Sequence, residues 1–64
     1  MPEHPDAWKF NRVYANLPIP LRTSEIVAVV DGEPMTFNVI KNELDNKTDI
    51  GFKALQNIID MEII

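Results

Sequence analysis

The chain has no cysteine, which excludes disulfide bridges and thiolate metal ligands and leaves the redox compartment unread. Its single histidine, His4, and its single serine, Ser24, are too few for an imidazole metal cluster or a nucleophile with an adjacent, oriented base. No catalysis, metal site or cofactor is therefore expected. No run of about 18 apolar residues exists, so no membrane span is expected. The amino-terminal Met1-Pro2-Glu3-His4-Pro5-Asp6 has neither a basic nor an apolar stretch of the kind a secretory signal carries, and a cytoplasmic protein is the default expectation. Basic residues are also scarce: six Lys and Arg stand against ten Asp and Glu, a net charge of −4. Residues 33–64 hold three basic and six acidic side chains. That balance opposes strong binding to phosphate backbones.

The composition, 45% hydrophobic and 25% charged over 64 residues, is that of one small globular domain. Such a domain buries roughly 60% of the surface its unfolded chain exposes and is only marginally stable. Association with a second copy or another protein would add buried area. Residues 1–5, with two prolines, read as a flexible tail in which His4 is solvated, and residues 6–64 as the domain.

Asp6 is a candidate N-cap for a first helix, where Phe10, Val13, Tyr14 and Leu17 share a face and Pro18 ends the run. Pro20 suits the first turn of a second helix. From there to Val30 two readings compete. Ile26, Val29 and Val30 have helical spacing, whereas the β-branched run Ile26–Val30 before Asp31-Gly32 reads as a strand entering a hairpin, with Met35-Thr36-Phe37 returning. The spacing of the whole block favours the helix. Thr36 is a good cap for the next helix, with Met35 and Ile40 at the positions of a hydrophobic staple, and Phe37, Ile40 and Leu44 as its buried stripe. After Asp45-Asn46-Lys47, Thr48 caps a last helix with Ala54, Leu55, Ile58 and Met61 inward. Gly51 in its first turn points to a close approach between the last two helices.

Several of these residues together resemble the winged helix-turn-helix family, most closely small dimeric repressors of the ArsR type. Pro20-Leu21-Arg22 matches the opening of the helix before the motif. Asp31-Gly32-Glu33-Pro34 and Met35-Thr36 match a turn and cap, and Leu55, Ile58 and Glu62-Ile63-Ile64 fall in register with the approach to the wing. The chain stops before a wing, and Glu62 stands where the family commonly has glycine. The resemblance implies a mainly α domain of three to four helices, winged-helix-like without a complete wing. The alternative is an α+β domain with a β-hairpin at 25–37 followed by two helices.

What the resemblance implies for function is a small regulator that binds double-stranded DNA as a homodimer. The last helix would enter the major groove, with Lys41, Lys47 and Lys53 on phosphates and Thr48 and Gln56 toward bases. Trp8, Tyr14, Ile59 and Ile63 are candidate interface residues. The alternative is a protein-protein interaction module with the same fold and no nucleic-acid role, motivated by the apolar carboxy-terminal end.

Overall fold

Ile26–Val30 is extended, not helical. Four of its five residues are β-branched and lose side-chain freedom in a helix, while a pleated strand accommodates them. Asp31 and Gly32 both take positive φ, 53° and 81°, the conformation of the tight two-residue turn whose twist matches that of paired strands. In the computed structural model, which describes residues 4–64, this turn joins β1 (Ile26–Val30) to β2 (Glu33–Thr36) as an antiparallel hairpin. Around it lie α1 (Ala7–Asn16), α2 (Ile19–Ser24), α3 (Phe37–Asp45) and α4 (Asp49–Asp60). The fold is thus α+β, four helices and one hairpin. The helix that the family resemblance places over Ile26–Val30 is absent.

The strand changes which side chains are buried. A helix would have turned Ile26, Val29 and Val30 inward together. The strand instead buries Ala28 and Val30 and leaves Ile26 and Val29 exposed, at 55% and 56%. The register pairs Val30 with Glu33, Val29 with Pro34 and Ala28 with Met35, and Val27 is the extra residue of a β-bulge. Val30 and Glu33 flank the turn and form a hydrogen-bonded pair. The Val29–Pro34 pair therefore directs its backbone groups away from the partner strand, which is why a proline is tolerated in β2.

The core gathers one side of every element except α2. Phe10, Met35, Ile40, Leu55 and Ile58 are its largest fully buried side chains, with Ala7, Ala28, Val30, Phe37 and Ala54 between them. Thr36 and Thr48 cap α3 and α4 as expected, their hydroxyls accepting from the N–H groups of Val39 and Gly51 at 3.2 and 3.1 Å. Met35 and Ile40 are both buried, consistent with the staple. Pro20 sits in the first turn of α2.

Three local expectations are corrected. Asp6 precedes α1 but makes no side-chain cap; its carboxylate lies 3.7 Å from the Lys9 ammonium instead, and its N–H donates to His4 Nδ1. His4 is buried, not solvated. Its Nδ1 accepts from that N–H, so the ring proton sits on Nε2 and is donated to Gln56 Oε1 at 2.9 Å, with the Phe52 ring 4.5 Å away. Met61 lies past the end of α4 and is 64% exposed. The part of the tail before His4 lies outside the described residues.

Both long carboxy-terminal helices end in the same way. After α3, the N–H groups of Lys47 and Thr48 donate to Leu44 and Glu43 carbonyls; after α4, those of Glu62 and Ile63 donate to Ile59 and Ile58 carbonyls. This paired pattern needs a left-handed residue, normally glycine, just beyond the helix. Here Lys47 and Glu62 fill it, with φ of 55° and 58°. Lys47→Gly and Glu62→Gly are each expected to stabilise the fold by about 0.5–1 kcal/mol, because relief of left-handed strain exceeds the added chain entropy of glycine. Thermal melts check this; a lower melting temperature in both variants would contradict it.

Candidate interaction surface

The exposed side of β1 and the adjacent face of α4 enclose a groove of about 320 Å³, lined by Ile26, Val27, Ala28, Val29, Asn57 and Met61. Its lining is almost wholly aliphatic. The polar exceptions are the Asn57 amide and the backbone of β1. Asn57 Nδ2 donates to the Val29 carbonyl at a long 3.5 Å, which fits the outward direction of the Val29 backbone derived from the register. A hydrogen bond of that length is weak. The outward N–H of Val29 has no protein partner among the described hydrogen bonds.

The two edges of the hairpin differ. The outer edge of β2 carries Glu33 and Pro34, a charge and a missing donor, both of which discourage addition of another strand. β1 is Ile-Val-Ala-Val-Val, with no charge and no proline; its guards are the bulge at Val27 and the long Asn57 bond to the Val29 carbonyl. The sheet has two strands only, so among the described residues no further strand pairs with β1, and the Asn57 amide is the one side chain bonded to its outward backbone.

Four of the five side chains expected to touch DNA are otherwise engaged. Lys53 lies 3.3 Å from Asp49 and 3.7 Å from Asp31. The hydrogen bond to Asp49, followed by the charges of Asp31 and Asp49, raises its pKa above the usual lysine value of 10.5. The stabilisation this pairing gives is complete below the ordinary lysine pKa and is lost as pH climbs through the raised one, so it is constant across neutral pH. Gln56 accepts from His4 and donates to Asp60 at 2.8 Å. Lys41 is 2.7 Å from Asp45. The Thr48 hydroxyl, besides capping α4, donates to Glu43, whose carboxylate Oε2 and carbonyl oxygen lie 3.0 and 3.2 Å away. Lys47 is exposed and makes no ion pair among the described residues.

The expected interface residues are spread over separate elements. Trp8 stands outward on α1, 56% exposed, with the Arg12 guanidinium 5.3 Å from its ring centroid. Tyr14, on the inner side of α1, donates its hydroxyl to Asn38 Oδ1 at 3.0 Å and carries the Arg22 guanidinium over its ring at 4.4 Å. Ile59 packs against the core from the last turn of α4, and Ile63 is partly exposed beyond it. Sequence reasoning missed the groove residues Ile26, Val29 and Asn57. The signal was present: Val29 is two residues before an Asp-Gly turn, a position whose backbone faces outward once the hairpin is accepted.

No helix among the described residues is long and apolar enough to cross a membrane, and no group of His, Asp and Glu among them is placed to hold a metal ion. Comparison with known proteins returns no match: no family model, no curated protein and no solved structure corresponds to this chain.

Proposed function

We propose that this chain is a protein-interaction module that accepts an extended segment of another protein as a third strand on the β1 edge. The observation that carries the reading is the contrast between the guarded β2 edge and the uncharged β1 edge, which has no third strand and only the weak Asn57 bond on its outward backbone, beside an aliphatic groove. Backbone pairing supplies affinity in such complexes and the groove selects alternate side chains. Ile26 and Val29 then cease to be solvent-exposed, which accounts for two large apolar residues on so small a surface.

Amide spectra test it directly. An uncharged, end-blocked peptide of alternating valine and threonine is expected to shift the amides of Ile26–Val29, Asn57 and Met61, and to slow hydrogen exchange at Val29. Val29→Pro removes the outward N–H without removing a ladder bond and is expected to abolish the response. Shifts confined to other elements, or shifts that survive Val29→Pro, reject the reading. If sedimentation instead finds copies of the chain joined through β1, the foreign segment is not the occupant.

A second reading is a regulator that binds double-stranded DNA as a homodimer. It draws on the connection of only three residues, 46–48, between α3 and α4, and on the exposed Lys53 of α4. It requires Lys53 to leave Asp31 and Asp49, and Gln56 to leave His4 and Asp60. Fluorescence anisotropy at low salt decides it: affinity for mixed-sequence duplexes weaker than about 100 μM, the feeble end of non-specific binding, removes it.

A further inference from the structure

The β1 groove is not electrically uniform, and its asymmetry gives the docked segment both a charge and a direction. Lys53, Asn57 and Met61 are spaced four apart and form one row along α4 and its last turn. Lys53 reaches Asp31, just past the end of β1; Asn57 reaches Val29; Met61 borders the groove with Ile26 to Val29. The row therefore runs antiparallel to β1, with Met61 toward the Ile26 end.

At the Asp31 end the Lys53 ammonium stands between Asp31 and Asp49, so three charges sum to −1. Toward the other end the chain neighbours of the groove residues are acidic: Glu25 immediately precedes Ile26, and Asp60, which holds the Gln56 amide, and Glu62 flank Met61 in sequence. These three carboxylates sum to −3. Neither residues 23–30 nor residues 54–64 contain a lysine or arginine. Among the described residues no ion pair engages Glu25, Asp60 or Glu62; Asp60 accepts only an amide, from Gln56.

We propose that the segment taken by the β1 edge is a short apolar strand carrying lysine or arginine at the end that lies beside Ile26 and Met61. This rests on the strand-docking reading above and adds the partner's chemistry to it. Cations there pair with carboxylates that have no counter-charge, whereas at the opposite end Lys53 already offsets one of the two charges of Asp31 and Asp49 and leaves only −1. The same pattern disfavours a second copy of this chain as occupant. Parallel pairing of two β1 strands sets Glu25 beside Glu25, and antiparallel pairing sets Glu25 beside Asp31, a like-charge opposition in either case. Opposite charges at the rim of an interface guide orientation and partner choice more than they add affinity.

Three blocked peptides test it, each with the same alternating valine-threonine centre: one flanked by serines, one with two lysines at its amino end, one with two at its carboxy end. One lysine peptide is expected to bind about three- to tenfold tighter than the serine peptide, and the other to match it. The advantage should vanish in the Glu25→Gln/Glu62→Gln double variant, checked as folded by circular dichroism, and in about 0.5 M salt. If the serine peptide binds and neither lysine peptide gains, or both gain equally, the polarity is wrong while strand docking stands. If no peptide binds, strand docking itself fails and this inference with it.

Discussion

Leu55→Asp is expected to abolish the cooperative thermal transition altogether. Leu55 is fully buried on the inner face of α4, in the same cluster as Phe10, Met35, Ile40 and Ile58. Truncation of such a leucine to alanine alone costs about 2–5 kcal/mol. At about 0.05–0.15 kcal/mol per residue, a chain this small has only some 3–10 kcal/mol to lose. Aspartate adds the cost of a buried carboxylate, and the surrounding cluster offers it apolar side chains alone. The control is Lys53→Ala, two residues earlier on the same helix but exposed, where only solvent-screened ion pairs are lost. That variant should melt within a few degrees of the parent. If Leu55→Asp retains a helical signal with a sharp melt, α4 does not pack as described.

The parts of the fold that were legible from sequence are those set by local chemistry. Thr36 and Thr48 are caps because a hydroxyl at that position satisfies a free amide of the first helical turn, whatever the rest of the chain does. The stripe Phe37, Ile40, Leu55, Ile58 follows from helical periodicity alone. Residues 26–30 are different, because helical spacing and β-branched propensity point opposite ways over a segment too short for either to dominate. The Asp31-Gly32 turn broke the tie through its positive φ angles, a local signal that the spacing argument underweighted. The candidate surface was illegible for the same reason: Ile26 and Val29 belong to the core in a helix and to the surface in a strand. His4 was missed on other grounds. Its burial depends on Phe52 and Gln56, about fifty residues away, and nothing in a proline-flanked tail announces such partners.

Gly51→Val is expected to destabilise the fold by about 3 kcal/mol, although it replaces the poorest non-proline helix former inside a helix. Propensity by itself favours the removal of glycine, by up to about 1 kcal/mol for alanine. Sterics decide otherwise. A Cβ at position 51 would stand 2.8 Å from the Glu43 carbonyl carbon, 2.9 Å from its Cβ and 3.0 Å from its carbonyl oxygen. Those atoms cannot give way easily. The Glu43 carbonyl accepts the Thr48 N–H at 3.0 Å and its hydroxyl at 3.2 Å, so retreat would break both the end of α3 and the cap of α4. Forcing even one methyl into such a contact costs about 1–3 kcal/mol, so Gly51→Ala should already melt lower than the parent, and the two methyls of valine should add to that loss. Gly32→Ala is the informative contrast. An added Cβ there meets nothing within 4 Å, and the expected loss of about 1–2 kcal/mol comes from left-handed backbone strain alone. Gly32→Asn, which tolerates that conformation, should recover part of it, whereas no side chain at position 51 can. A rise in melting temperature for Gly51→Ala would mean that α3 and α4 do not approach this closely, and Thr48 would then no longer be held between Glu43 and Gly51.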